Sequence, residues 1–293
     1  MPEITRLEFD PIAKHINDLT GISIDWDKHY FLEARLAGLL EEENCVCFGD
    51  LFQKLKHGND DRLDRKLIDA ISTRETYFFR NQSPFALLQQ KILPDLIDRR
   101  SPSLAELKKL PLPIRIWSAG CSTGQEIYSI CIVLKELLNQ FENYRIKILG
   151  TDISDAAIAK ASSGIFSRQE IERGLDPDML ARHFTTYDNQ WKINDELRSL
   201  VVFKRINLSR SFEELGKFDI IFCRNVAIYF SRSDRQHFFS RIAAAMEPDG
   251  YLILGSTETL RETCDRFIPQ THLNCTYYRL KDDLLTPGSF PPK

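Results

Sequence analysis

The stretch RIWSAGCSTGQEIYSI, Arg115 to Ile130, carries the pattern that decides the fold. A short apolar run gives way to small residues, Ser118-Ala119-Gly120-Cys121-Ser122-Thr123-Gly124, then to Glu126 and to apolar residues at helical spacing. A strand ending at Ser118, a glycine-containing turn and a helix from Gln125 put Gly120 and Gly124 at the carboxyl end of a sheet, where open α/β folds bind ligands. A dinucleotide would favour GxGxxG with an acid about 20 residues on, whereas this turn has two glycines and Asp152 follows about 30 residues downstream. A nicotinamide cofactor is therefore the weaker reading. Asp152, in ILGTDIS, stands where a carboxylate can accept both hydroxyls of a ribose, and Glu126 adds a second negative charge. Two acids repel a pyrophosphate and tolerate a cation. Alternatively, Glu126 serves the helix dipole and Asp152 caps the next helix.

Elements of two kinds surround this turn. Towards the N-terminus, from Phe9 to about Ser72, Ile12, Ile16, Leu19, Phe31, Leu32, Leu36, Leu39, Leu63, Leu67, Ile68 and Ile71 recur at helical spacing and predict a small helical domain. Ser83-Pro84 signals a further helix, expected to reach about Ile97. Ser101-Pro102-Ser103 and Leu110-Pro111-Leu112-Pro113 then read as linker. Beyond them helices and short apolar strands alternate: strands at 114–118, 145–150, 200–203, 217–223, 250–255 and near 275–280, helices at 125–139, 155–162 and 232–246. Such alternation predicts a mostly parallel sheet covered on both faces. Between Gly164 and Leu200 the pattern breaks for too long to be a loop, with a helix signal at Asp176-Pro177-Asp178 and a strand at Asn189–Ile193, and an inserted subdomain is expected there.

The 293 residues, 43% hydrophobic, suffice for one large or two ordinary domains. A formal net charge of -3 gives no electrostatic case for non-specific binding to nucleic acid or acidic lipid. The start MPEITRLEFD carries acids and lacks the apolar core of a secretion signal, and no apolar run approaches the roughly 18 residues that span a bilayer. A cytoplasmic location is expected. The seven cysteines are scattered without a CxxC, the histidines do not cluster near them, and no metal site is expected.

Three further stretches end in polar groups where a site would lie. FDIIFCRNVAIYF, Phe218 to Phe230, runs from apolar residues into Arg224-Asn225 and then Tyr229; strand ends with this switch line sites. Asn207 closes a strand in FKRINL, where turn-capping is the alternative. ISTRETYFFRNQSPF, Ile71 to Phe85, lies at the junction of the two halves, with Thr76 between Arg74 and Arg80; a junction helix with surface arginines is the plain reading.

TRETYFFR, IWSAGCSTGQEIYS, TDIS, INL, FDIIFCRNVAIYF and MEPDGYLILGSTE, in this order, resemble the chemotaxis receptor methyltransferases usually called CheR, from about Phe9 to Asp282. The resemblance implies a class I S-adenosylmethionine-dependent methyltransferase, Rossmann-like with a mostly parallel sheet, a helical N-terminal domain and a small inserted β-subdomain. The domains would be 1–78, docking the receptor, and 79–283, with the insert at about 164–202; 284–293 would be a disordered, proline-rich tail. By the same resemblance the cofactor is S-adenosylmethionine, leaving as S-adenosylhomocysteine. Ala119 and Gly120 would approach its methionine part, Glu126 its ammonium and Asp152 its ribose. Asn207 and Leu208 would border the adenine, and Asn225 with Val226 would close the site. Thr76 and Arg80 look like the junction residues that reach cofactor and reaction centre, and Tyr229 resembles the family's active-site tyrosine. Many members have asparagine where this chain has Arg74, so that contact is not carried over.

The implied substrate is the glutamate side chain of a methyl-accepting chemotaxis receptor. DKHYFLEARLAGLL resembles the family's basic docking helix; Lys28 and Arg35, seven apart, would face one way on it. Relatives that bind a C-terminal receptor pentapeptide at the insert's edge share a glycine-rich turn that HFTTYDNQWKINDEL lacks, so no pentapeptide tether is expected. Competing readings are a catalytically silent cofactor-binding scaffold or sensor and a nucleic-acid or small-molecule methyltransferase on the same sheet.

Overall fold

The computed structural model describes residues 3–57, 61–106, 111–261 and 263–281. The expected tail from 284 lies outside them. The first half is helical: α1 (Arg6–Thr20), α2 (His29–Glu42), α3 (Phe48–His57) and α4 (Asp61–Ile71). A capping box of Thr5 and Glu8 starts α1 by satisfying free backbone donors, and Gly21, at φ 76°, ends it. Ile12, Ile16, Leu32, Leu36, Leu51 and Leu67 enclose this half's own core.

Ser83-Pro84 opens α5 (Ser83–Leu87), which runs through a π-helical turn, Leu88–Ile92, into α6 (Leu93–Glu106). The expected linker at Ser101-Pro102-Ser103 is therefore helix, and Leu112 and Pro113 already belong to β1 (Leu112–Ala119). Two arginines hold α6 against the sheet. Arg99 donates to the Tyr251 hydroxyl at 2.6 Å, and Arg100 pairs with Asp219 at 2.6 Å and Asp249 at 2.7 Å.

From β1 the chain continues through α7 (Gln125–Leu137), β2 (Tyr144–Asp152) and α8 (Asp155–Ser163). The insert follows as β3 (Ile165–Phe166), α9 (Arg168–Glu172), α10 (Pro177–His183), β4 (Phe184–Tyr187), β5 (Gln190–Ile193) and α11 (Asp195–Arg198). The main sheet resumes with β6 (Val201–Arg205), β7 (Phe218–Cys223), α12 (Arg232–Ala244), β8 (Met246–Leu254), β9 (Phe267–His272) and β10 (Cys275–Leu280). Its order is β6-β2-β1-β7-β8-β10-β9, parallel from β6 to β8, with β10 antiparallel to both neighbours. This is the expected class I arrangement with a helical N-terminal half. The insert's sheet, β3-β5-β4, is antiparallel.

Side-chain alternation divides the sheet's two faces. Ile114, Ile116, Ile148, Ile220, Phe222 and Ile253 pack on one side with α7; Trp117, Ala119, Ile221, Cys223, Leu252 and Leu254 pack on the other with Phe238, Phe239 and Ile242 of α12. Phe78, fully buried, packs its ring edge-on at 5.0 Å from Phe166 and 5.6 Å from Phe184, joining the junction segment to the insert.

The helical half is bonded to the sheet's carboxyl edge. Asn207 donates to the Leu19 carbonyl at 2.6 Å, Ser23 N–H donates to the Tyr229 carbonyl at 3.0 Å, and Ile22 forms a bridge with Phe230. Asp69 of α4 accepts from Ser154 Oγ at 2.5 Å and Ala156 N–H at 3.3 Å, capping α8 from outside its own chain segment. Among the described residues no helix is long and apolar enough to cross a membrane. Asp69→Ala should lower stability by about 1 kcal/mol, a usual capping contribution, seen as a lower urea midpoint with an unchanged slope.

Candidate active site

The turn after β1 is fixed by β2. The Thr151 carbonyl accepts both Gly120 N–H and Cys121 N–H at 2.8 Å. Gly120 has φ 79°, and a Cβ there would lie 2.3 Å from Val226 Cγ2, so only glycine lets these two turns meet. Ser122, also left-handed at φ 49°, donates its N–H to Asp152 Oδ2 at 2.9 Å, while Ser154 N–H donates to Oδ1 at 3.0 Å. Burial raises the Asp152 pKa above its ordinary value; the N–H groups of Ser154, Ser122 and Ile153 and the Arg74 charge oppose the shift without cancelling it. Ser122 Oγ is buried here without a partner. Cys121, beneath the turn, is pushed well up by burial and by the Asp152 and Glu126 charges, and remains a thiol.

Glu126 is not an open negative charge. Its Oε1 accepts from Ser118 Oγ at 2.7 Å, and its Oε2 accepts from Arg224 Nη1 at 3.0 Å. Arg224, only 5% exposed, also donates through Nη2 to the Arg80 carbonyl at 2.7 Å and to Asn81 Oδ1 at 3.1 Å. Removing either partner of such a buried pair costs about 3–5 kcal/mol by stranding the other charge. The next residue, Asn225, adopts φ 58°, and Glu258 receives its N–H at 2.6 Å. The sequence places Arg224 at a strand end that lines a site without giving it a partner, and carries no signal for Glu258 beyond its position in the GSTE motif.

Glu126, Arg224 and Asn225 line a cavity of about 270 Å³ above the carboxyl edge. Thr76, Arg80, Gly120, Glu126, Asp152, Asn207, Leu208, Asn225, Val226 and Tyr229 all contribute to its wall. Ala119 does not; it is fully buried in the core below, on the face shared with Trp117. The helical half also contributes Thr20, Ile22, Ser72 and Thr73, which sequence reasoning missed because a connection between two helices carries no binding pattern. Asn207 proves to be partly the turn cap weighed against its site role, accepting from Ser209 N–H at 2.9 Å.

Arg80 is half-buried, with Nη1 donating to the Glu75 carbonyl at 2.7 Å and its guanidinium 5.8 Å from the Tyr77 ring centroid. Arg74 is exposed and donates to the Asp69 carbonyl at 3.3 Å. Lys28 and Arg35 lie away from the cavity and are exposed. They do not share one helix: Lys28 ends a 3-10 turn, Trp26–Lys28, and only Arg35 is in α2, over the Phe31 ring at 5.4 Å.

The residues suit a nucleoside-bearing cation. Asp152 offers a carboxylate already oriented by backbone donors, Gly120 lets the Val226 turn pack against it, and Ile153, Ile206, Leu208 and Val226 give apolar wall for a flat ring. Asp152 would hold ribose hydroxyls, and the Glu126 oxygens retain capacity for an ammonium beside the Arg224 bond.

Comparison with known proteins agrees with this architecture. The profile of the CheR methyltransferase all-alpha domain matches residues 7–72, and that of the CheR methyltransferase SAM-binding domain matches residues 74–275. Chemotaxis protein methyltransferase 1 of Pseudomonas aeruginosa is 34% identical over 265 residues, covering 89% of this chain and 93% of that protein. A chemotaxis protein methyltransferase of Pseudomonas putida is 34% identical over 267 residues, covering 89% and 94%. That of Borreliella burgdorferi is 34% identical over 274 residues, covering 92% and 94%. With both halves matched in order and a cofactor cleft at the sheet's carboxyl edge, the chain belongs to the CheR methyltransferase family and is an S-adenosylmethionine-dependent methyltransferase.

Proposed function

We propose that this protein methylates glutamate side chains of methyl-accepting chemotaxis receptors, on their cytoplasmic domains, giving glutamyl methyl esters for sensory adaptation. The observation that carries the reading is the convergence of Arg80, from the junction, and Tyr229, from the end of β7, on the wall that also holds Gly120, Glu126 and Asp152. A silent scaffold would not need the first pair. S-adenosylmethionine supplies an electrophilic methyl group on a sulfonium, whose transfer to a carboxylate leaves an ester and S-adenosylhomocysteine.

Gly120 and Glu126 take the methionine part of the cofactor, Asp152 the ribose, Asn207 and Leu208 the adenine; Asn225 and Val226 close the site, and Thr76 and Arg80 reach in from the junction. A glutamate is ionised near neutral pH, so no general base is required. Arg80 and Tyr229 therefore orient the accepting carboxylate. Arg80 is restrained by its bond to the Glu75 carbonyl, which suits a group that must hold a carboxylate in line without pairing so tightly that the ground state is favoured. The half ending near residue 78 docks the receptor through the exposed side chains of Lys28 and Arg35, and the unit from there to about 283 carries the chemistry. The insert's hairpin turn, Asp188-Asn189, contains no glycine, and we assign no pentapeptide binding to its edge.

Asp152 gives a pH dependence. Its pKa is raised in the folded protein, so it contributes stability that is complete below the usual aspartate value and is lost by the time pH has risen through the raised value. Ribose binding uses the ionised form. Affinity for S-adenosylhomocysteine should therefore fall as pH drops through the raised pKa, above the usual aspartate value of 3.8. Asp152→Asn should bind about 10-fold more weakly or worse at neutral pH and lose this dependence; calorimetry across pH checks both.

Arg80→Ala should cut single-turnover methyl transfer by about 10-fold or more, equal to a loss of about 1.4 kcal/mol, while cofactor affinity changes less. The assay uses labelled cofactor and receptor cytoplasmic domains. Base-stable label, or none, would sink the glutamyl ester reading, and an unchanged rate would remove Arg80 from it. Arg35→Glu should raise the KM for the receptor by about 10-fold or more with cofactor affinity intact. Wild-type protein should methylate receptor domains with and without a C-terminal pentapeptide equally. Unchanged receptor kinetics in the variant would end the docking assignment, and a pentapeptide-dependent rate would end the untethered one.

A further inference from the structure

We infer that Glu258 is a positioning residue of the methyl-transfer site, its carboxylate fixing the turn that presents Asn225, Val226 and Tyr229 to the cleft. The inference rests on the reading above, in which those three side chains face cofactor and substrate.

Glu258 lies on the segment after β8, yet its hydrogen bonds run to the end of β7. Oε2 accepts Asn225 N–H at 2.6 Å and Gly255 N–H at 2.9 Å, and Oε1 accepts Ala227 N–H at 3.1 Å. Three backbone donors from two chain segments thus meet on one carboxylate, whose two oxygens have lone pairs for all of them. The glycine of GSTE makes this approach possible. A Cβ at Gly255 would lie 2.7 Å from Glu258 Oε2 and 2.9 Å from Asn225 Nδ2, so the constraint there is space.

What the carboxylate holds is unfavourable backbone. Asn225 adopts φ 58°, a conformation that costs energy for a residue with a side chain and persists only when its surroundings impose it. Val226 follows and fills the space above Gly120, where a Cβ would come within 2.3 Å of it. Then comes the 3-10 turn Ala227–Tyr229, held at its start by the Ala227 bond to Glu258 and at its end by Ser23 N–H on the Tyr229 carbonyl. Without Glu258 the start is released, and with it the registry between the Val226 and Gly120 turns.

The chemistry predicts a graded response. In Glu258→Gln one oxygen becomes an NH2 group. Turned towards Ala227 it opposes one donor; turned the other way it opposes two, so the first orientation is favoured. Glu258→Gln should keep the Asn225 and Gly255 bonds and lose the Ala227 bond. Its affinity for S-adenosylhomocysteine should stay within about threefold of wild type while kcat falls by about 10-fold. Glu258→Ala should lose all three bonds, weakening cofactor affinity and kcat by about 10-fold or more each.

The experiment is calorimetric titration of wild type and both variants with S-adenosylhomocysteine, single-turnover transfer to receptor domains, thermal melting, and amide NMR of Asn225, Gly255 and Ala227. The expected result is a kcat-selective loss in Glu258→Gln, a loss of both in Glu258→Ala, and an upfield move of the Ala227 amide proton in both. Variants that melt earlier but bind and turn over like wild type would overturn the inference, because Glu258 would then only stabilise the fold. If Glu258→Ala does not fold, Glu258→Gln decides alone, and wild-type kcat in it is fatal. Because titration and NMR need no receptor, a wild-type protein inactive on receptors would refute the substrate assignment and leave Glu258 to be judged by cofactor affinity and amide shifts.

Discussion

A guanidinium buried at the carboxyl edge of the sheet is the constraint on which this site depends. Arg224 directly follows β7, and its charge must be balanced where water does not reach. It finds Glu126 on α7 and the polar atoms of Arg80 and Asn81 on the junction. Three segments far apart in sequence are thereby fixed relative to one another. An apolar residue of similar size could fill the volume at comparable stability, but it could not set the height of the α7 amino terminus or the path of the 74–81 segment. The pair therefore contributes geometry more than stability, and the geometry is that of the cavity wall.

A second constraint follows from where the helical half sits. Its bonds to Asn207, Tyr229 and Ser154 bring Thr20, Ile22, Ser72 and Thr73 into the cavity wall, so the cleft is completed by residues from both halves. Asp152 illustrates the consequence. Covered from the helical side and backed by the Ser122 turn, its carboxylate loses hydration and its pKa rises, even with Arg74 nearby. The connection Gly21–Asp25, which precedes α2, touches the Tyr229 turn directly. Any displacement of α2 would therefore be felt at the reaction side of the cleft through one short segment.

The fold was legible where local rules act. Short apolar runs in the strands, the Ser-Pro start of α5, the Asp176-Pro177 start of α10 and the glycine turn after β1 all specify their elements from neighbouring residues alone. Misreadings arose where distant contacts overrule local signals. Ser101-Pro102 reads as linker, but Arg99 and Arg100 bind α6 to Tyr251, Asp219 and Asp249, which offsets the lost proline hydrogen bond. Strand β9 went unread because its burial alternates only weakly around Pro269, at an edge that β10 alone supports. Lys28 reads as helical by its spacing from Arg35, yet Asp25 N-terminal to it starts a 3-10 turn that ends before α2 begins. The site was legible in its residue types and not in its pairings. Glu126 and Asp152 both read as acids at strand or helix ends; that the first is paired depends on Arg224, 98 residues away, and that the second has a raised pKa depends on its burial in the assembled fold.

That difference between the two acids bears on the chemistry. A pocket with two free carboxylates would hold a cation strongly in the ground state, and stabilisation of that kind opposes a reaction in which opposite charges disappear. Pairing Glu126 with Arg224 reduces the net charge facing the cleft, while Ile22, Ile153, Ile206, Leu208, Val226, Ile228 and Phe230 supply low-dielectric wall. In such surroundings separated charges are costly and their mutual cancellation is favoured. Asp152, by contrast, is tied to the backbone donors of Ser122 and Ser154. The fold thus pairs one acid with a buried guanidinium and holds the other on backbone donors, which a sequence with the same acids in other partnerships would not do.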